Sequence, residues 1–164
     1  MKYNIIVEGT FQRIKNLFVE QTYPITFRCC SCGKLHEKEV IVSQDSVRYN
    51  DRNEKVALTV KCSDCKKNIF FYVSPPKGSE KYEYAENGEV EELILSLPGN
   101  NEYTVSVLEA RGCNVEEVKG LTINVLTENG KLWKDVDIID GFWTGDDKGE
   151  VSTIEEMKII VKGI

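Results

Sequence analysis

The chain has 164 residues, of which 41% are apolar and 29% charged, a globular composition that excludes disorder and fibrous repeats. Apolar runs such as Ile69-Phe70-Phe71-Tyr72-Val73 are far shorter than the roughly 20 residues of a membrane-spanning helix, so no membrane association is expected. The net charge of −6 argues against a general nucleic-acid binder, but it averages two unlike halves: residues 1–80 hold 13 Lys/Arg against 9 Asp/Glu (+4), and residues 81–164 hold 8 against 18 (−10).

Met1–Glu8 lacks the apolar core of a secretory signal and reads as a strand, which predicts a cytoplasmic protein, with the nucleus as the alternative. Alternating apolar, β-branched and aromatic residues predict strands at Tyr3–Val7, Ile25–Cys29, Val40–Val42, Val56–Lys61 and Ile69–Val73. The same pattern continues at Leu93–Leu97, Tyr103–Leu108, Leu121–Leu126, Val136–Ile139 and Met157–Val161. Turn signals separate them at Asn50-Asp51-Arg52-Asn53, Pro75–Ser79, Asn87-Gly88, Pro98–Asn101, Asn129-Gly130 and Gly145–Gly149. The exception is Phe11, Ile14 and Leu17/Phe18, whose spacing suggests a short helical connector. The fold class expected is all-β, of sandwich type.

The two halves also resemble one another at an offset near one hundred residues. Tyr3–Val7 matches Tyr103–Val107, Phe11–Val19 matches Val115–Ile123, Gly33–Val40 matches Gly130–Val136, and Glu54–Lys61 matches Glu155–Lys162. The reading is an internal duplication: a zinc-binding half over residues 1–80 and a metal-free half over 81–164, joined near Pro75–Asn101 or merged into one compact unit. Asn129 then stands where the first copy has Cys32, and Gly163 where it has Cys62.

The distinction matters because five of the six cysteines cluster as Cys29-Cys30-Ser31-Cys32 and Cys62-Ser63-Asp64-Cys65. Cys29/Cys32 and Cys62/Cys65 are CxxC pairs, and Cys32 and Cys62 enclose 29 residues. Two such turns can converge four thiolates on one zinc at about 2.3 Å, with backbone N–H groups supporting the sulfurs. A pair of disulfides is the competing reading, disfavoured in a reducing compartment, and a redox CxxC lacks the helix N-terminus that would stabilise its thiolate. A closed tetrathiolate site leaves no position for water or substrate, so its role is structural. Cys30 falls outside the spacing and Cys113 is isolated.

Other chemistry finds little support. His36 follows Cys32 by four residues, but it faces Trp133 in the second copy and reads as a packing position. No Ser/His/Asp arrangement is evident, and no catalytic or cofactor-binding residue is assigned besides the metal ligands. Glu89-Val90-Glu91-Glu92 and Asp146-Asp147 read as solvated carboxylates, and Trp143 as a cover for the sheet.

The N-terminal strand, the paired knuckles, Asp45-Ser46-Val47 between them and the late Trp143…Asp147-Lys148 together resemble the eukaryotic CXXC-motif-containing zinc-binding protein family. The resemblance spans essentially the whole chain. It implies zinc on Cys29, Cys32, Cys62 and Cys65, and an all-β fold of two similar halves with the metal in the first. Cys30 and the segment after Trp143 depart from the family pattern, and the family itself carries no settled activity. The function expected is therefore that of a monomeric, non-enzymatic protein-interaction module holding one structural zinc and docking an unidentified protein. The alternatives are intracellular handling of zinc or copper, with Cys30 as an exchange ligand, and a nucleic-acid-associated zinc ribbon using the basic half.

Overall fold

The computed structural model describes residues 1–44, 48–49, 55–86 and 88–164, with only the backbone described at residues 48, 49, 55 and 86. The expected turn at Asn50-Asp51-Arg52-Asn53, the Asp45-Ser46-Val47 segment, Glu54 and Asn87 lie outside the described residues. The first strands are β1 (Lys2–Gln12), β2 (Ile14–Val19), β3 (Thr22–Cys29), β4 (Leu35–Ser43), β5 (Arg48–Tyr49), β6 (Lys55–Val56), β7 (Leu58–Lys61) and β8 (Asn68–Ser74). They are followed by β9 (Lys81–Glu86), β10 (Glu89–Ile94), β11 (Leu97–Pro98), β12 (Glu102–Arg111), β13 (Cys113–Val118), β14 (Ile123–Thr127), β15 (Leu132–Trp133), β16 (Trp143–Asp147) and β17 (Glu150–Gly163). The fold is all-β, with no helix among the described residues.

A large antiparallel sheet runs β16-β17-β1-β12-β8-β7, with β11 added beside β12. Segments of residues 1–80 and 81–164 alternate in it, because β1 lies between β17 and β12 while β8 pairs with β12. Two three-stranded sheets, β13-β3-β4 and β15-β14-β2, complete the body, and the β9–β10 hairpin stands as a separate ribbon. Alternate residues of these strands enter one hydrophobic cluster that joins Ile5, Val7 and Leu108 of the large sheet to Ile25 and Phe27 of β3 and to Leu17 and Val125 of the third sheet.

The pairing is palindromic. β1 and β12 pair at the centre; β17 then β16 follow on one side, and β8 then β7 on the other. Likewise β3–β4 answers β14–β15, and β13 on β3 answers β2 on β14. The sequence matches obey this only in part. Tyr3 and Tyr103 lie in the two central strands, and Asn129 lies in the β14–β15 turn as the first CxxC lies in the β3–β4 turn. Leu58–Lys61, however, is an edge strand beside β8, whereas its supposed copy Ile159–Lys162 pairs with β1. Gly163 therefore does not occupy the place of Cys62, and this segment lends the duplication no support.

The helical connector expected around Phe11–Phe18 is the strand pair β1–β2. Arg13, at φ 58°, turns the chain between the strands, and Leu17, Phe18 and Val19 are then all buried, so their spacing mimics a helix. Gly112, at φ 89°, makes the corresponding corner between β12 and β13, where an added Cβ would sit 3.1 Å from the Asn68 carbonyl oxygen. The strand expected at Val136–Ile139 is irregular chain ending in a single bridge, Ile139 to Phe142.

Candidate metal centre

Both CxxC segments are hairpin turns, one joining β3 to β4 and the other β7 to β8. They share a hydrogen-bond pattern. The Cys29 N–H donates to the Lys34 carbonyl at 2.9 Å and the Gly33 N–H returns to the Cys29 carbonyl at 3.0 Å. In the second turn the Cys62 N–H donates to the Lys67 carbonyl at 2.9 Å and the Lys66 N–H to the Cys62 carbonyl at 3.0 Å. Each turn closes through a left-handed residue, Gly33 at φ 75° and Lys66 at φ 63°. At Lys66 the Nζ donates to the Ser63 carbonyl at 2.8 Å, tying the side chain back to its own turn.

The turns bring the four predicted sulfurs together. Cys29 Sγ lies 3.7 Å from Cys65 Sγ, and Cys32 Sγ lies 3.5 Å from Cys62 Sγ, so both close contacts cross from one knuckle to the other. All four atoms fall within 4.8 Å of one another. A tetrahedron with 2.3 Å metal–sulfur arms has edges of roughly 3.8 Å, which these contacts approach, whereas a disulfide needs about 2.05 Å. All six cysteines are free thiols, so the paired-disulfide alternative fails. The tetrad is consistent with one zinc site.

Local electrostatics favour thiolates at the leading cysteine of each turn. N–H groups of Cys32 and Ser31 lower the Cys29 thiol. The N–H of Cys65 outweighs partial desolvation at Cys62, and with Asp64 and the His36 imidazole holds that thiol down at about 5. At Cys32 the Lys34 N–H favours ionisation, but desolvation and the neighbouring sulfurs of Cys62, Cys29 and Cys65 prevail and push the thiol up to about 12. Four crowded sulfurs do not ionise together without a cation to balance them.

Burial grades across the cage. Cys29 and Cys62 are buried in the core, Cys65 is half-buried and Cys32 is exposed. Cys30 is exposed and outside the cluster, its N–H donating to the Gly112 carbonyl at 3.0 Å. Cys113 pairs in register with Cys29 and is buried, which pushes its thiol up to about 12, with smaller contributions from Cys30 and Cys29. His36 is not in the metal cluster; its ring lies flat on Phe27, centroids 4.5 Å apart at 13°, and Phe27 meets Phe71 edge-on at 5.4 Å. What sequence reading missed is that this imidazole also helps to lower the Cys62 thiol in the second knuckle. Only the Cys62 environment reveals it, for no spacing rule links positions 36 and 62.

The β14–β15 turn, which carries Asn129, holds polar side chains. Asn129 Nδ2 donates to Asp147 Oδ2 at 3.0 Å, Lys131 Nζ lies 3.8 Å from Asp147 Oδ1, and the Thr127 hydroxyl donates to Asn129 Oδ1. The β14–β15 and β16–β17 turns are thereby bridged by hydrogen bonds. Trp143, expected as a cover, packs half-buried against the core with its ring edge-on to Trp133 at 5.6 Å. Gly145 permits that packing, since a Cβ there would lie 2.7 Å from the Trp143 ring. Glu89, Glu91 and Glu92 are exposed on β10 and converge on no site.

Residues 4–162 match the family described as CXXC motif containing zinc binding protein, eukaryotic. The chain belongs to that family. Its relatives include an uncharacterised protein of Encephalitozoon cuniculi, 34% identical over 145 residues and covering 85% of each chain. A UPF0587 protein of Dictyostelium discoideum is 22% identical over 148 residues, covering 88% of this chain and 85% of that one. Among solved structures, a hypothetical protein from Plasmodium falciparum superposes with a TM-score of 0.74 at 15% identity over 99% of both chains. The structure of C1orf123 does so with 0.73 at 14% identity over 98% of both. At those identities the likeness concerns the fold, and the fold spans the full length of each chain.

Proposed function

We propose that Cys29, Cys32, Cys62 and Cys65 hold a single structural zinc in the half formed by residues 1–80, leaving residues 81–164 free of metal, and that the protein works as a monomeric protein-interaction module. The observation that carries this reading is the convergence of four cysteine sulfurs within 4.8 Å, with no His, Asp or Glu of the described residues in the group. A shell filled by four thiolates offers no vacancy for water or substrate; the ion supplies folding energy and holds two surface turns in one shape. Reaction chemistry has no second support, since no other cluster of three or more potential metal-ligating residues exists among the described residues. Docking on a protein is favoured by the exposed pair Ile139 and Phe142, 64% and 51% accessible, on a tight turn beside a solvent-open groove lined by Ile138, Gly141 and Met157. The free thiols suit a reducing compartment, for which the cytoplasm is proposed.

Native mass spectrometry of protein purified without added metal tests the first part: one zinc per chain is expected, and none refutes it. Crosslinking in lysate at graded ionic strength tests the second. A protein captured by the wild type and lost by an Ile139→Asp/Phe142→Asp variant supports docking; identical capture profiles overturn it. The metal-handling reading draws on one observation, the exposure of both Cys32 and Cys30 at the outer side of the cage. It requires zinc transfer that slows in Cys30→Ser, whereas release unaffected by that change and coupled to unfolding belongs to a structural ion.

A further inference from the structure

The long last strand keeps an edge that no other strand uses. β16 covers β17 as far as Ile154, and the Met157 N–H then donates to the Gly141 carbonyl at 3.0 Å. Beyond that point residues 158–163 pair with β1 alone among the described residues. Because the Ile164 N–H donates to the Lys2 carbonyl, the two-residue period of an antiparallel ladder turns the N–H and C=O of Lys162, Ile160 and Lys158 toward β1. It turns those of Val161 and Ile159 away from β1. Beside this edge runs the solvent-open groove, about 620 Å³ in volume, in the size range of clefts that hold ligands. Its lining is apolar at Leu121, Val136, Ile138, Met157 and Ile159, and another wall includes the end of β13, a strand that pairs only with β3.

A groove of this kind selects an extended backbone, whose N–H and C=O groups repeat in step with those of the edge while alternate side chains enter the apolar lining. Charge selects further. Met157, Ile159 and Val161 pack against the core, so Lys158 and Lys162 stand on the other face of β17, exposed and flanking Ile160. Neither lysine forms an ion pair among the described residues. Of the carboxylates nearby, Glu117 is taken by Lys119 at 3.0 Å, Asp137 belongs to another wall of the groove, and Glu8 stands opposite Lys158 in the ladder without an ion pair to it. A second copy of the chain is a poor occupant, since two-fold pairing of β17 about Ile160 sets Lys158 against Lys162 of the copy. We propose that β17 receives an added strand from a protein partner: an extended acidic segment with carboxylates opposite Lys158 and Lys162 and apolar side chains opposite Ile159 and Val161. The inference rests on the docking reading above and gives it a mode and a partner chemistry.

A capped Glu-Val-Thr-Ile-Glu peptide titrated into ¹⁵N-labelled protein tests this by NMR. Hydrogen exchange at the Ile159 and Val161 amides is expected to slow by about tenfold or more on saturation, while that of Ile160, already bonded to β1, changes little. The same peptide N-methylated at its Val and Ile amides keeps every side chain and loses the strand hydrogen bonds, so it should bind about tenfold more weakly. A Lys-Val-Thr-Ile-Lys peptide should lose about tenfold against wild type and recover in Lys158→Glu/Lys162→Glu, two exposed changes outside the core. Unslowed exchange at Ile159 and Val161, or equal binding of the N-methylated peptide, overturns strand addition, and equal binding of the Glu and Lys peptides overturns the acidic partner. In the lysate crosslinking, a protein lost by Ile139→Asp/Phe142→Asp but kept in full by Lys158→Glu/Lys162→Glu leaves docking standing and overturns this proposal. Identical capture by wild type and both variants overturns the docking reading itself, and this proposal with it.

Discussion

Stripping the metal with a chelator removes a link between two hairpins that belong to different sheets, β3–β4 in the β13-β3-β4 sheet and β7–β8 at the edge of the large one. The cross-knuckle contact Cys32–Cys62 joins positions 30 residues apart. Treated as a covalent loop closure, a crosslink of that span withholds about 3.6 kcal/mol of chain entropy from the opened state, or roughly a 500-fold change in a local opening equilibrium. The effect should be confined to the knuckles, because the core strands pair independently of the cage: β1 is hydrogen-bonded on both sides, to β12 and β17. Amide hydrogen exchange followed by NMR reads this directly. The Gly33 and Lys66 amides, which close the two turns, should lose about 500-fold in protection on demetallation, while Ile5 and Val107 in the central strands change by less than about tenfold. Knuckle protection that survives chelation would refute the reasoning, and so would an equal loss at Ile5, which would make the ion a determinant of the whole fold.

Three further outcomes are expected. Gly33→Ala should cost about 1 kcal/mol in denaturant unfolding, purely from its left-handed backbone, since no atom lies within 4 Å of the added Cβ; Gly163→Ala, equally open but without positive φ, should cost far less. Burial at Tyr23, outweighing the pull of the Ser106 hydroxyl, raises its phenol above the ordinary value of 10.0. The unfolded chain therefore loses this proton first, and above about pH 10 stability should fall by about 1.4 kcal/mol per pH unit more steeply in wild type than in Tyr23→Phe. Parallel slopes for the two proteins would refute that assignment. Asp147→Ala breaks the bridge between the β14–β15 and β16–β17 turns; because Asn129 and Lys131 are exposed and Asp147 only half-buried, the loss should be about 1 kcal/mol or less in urea melts, with zinc stoichiometry unchanged.

The cysteine tetrad was legible because a CxxC turn is a local device. Cys29–Lys34 and Cys62–Lys67 build the same hydrogen bonds from six consecutive residues each, and two such turns in one chain need only meet. The all-β class was legible for a similar reason, since alternation along Tyr3–Val7 or Tyr103–Leu108 reports a two-residue period whatever the strand pairs with. Ile14–Val19 misled because Arg13 turns the backbone and Leu17 to Val19 are all buried, so periodicity reported the packing on two sides and not the backbone. Trp143–Asp147 was hidden behind turn-forming residues, yet Gly145 is there to make room for an indole ring.

Sequence by itself determined the donor set, the strand-forming segments and the opposite charges of the two halves, all properties of neighbouring residues or of sums. Tertiary structure alone decided that β1 lies between β12 and β17, that sulfurs pair across the knuckles, and that the His36 ring stacks on Phe27, which meets Phe71. These depend on contacts between residues distant along the chain, selected by which faces can be buried together. No local spacing encodes that choice, because many strand orders would satisfy the same alternation.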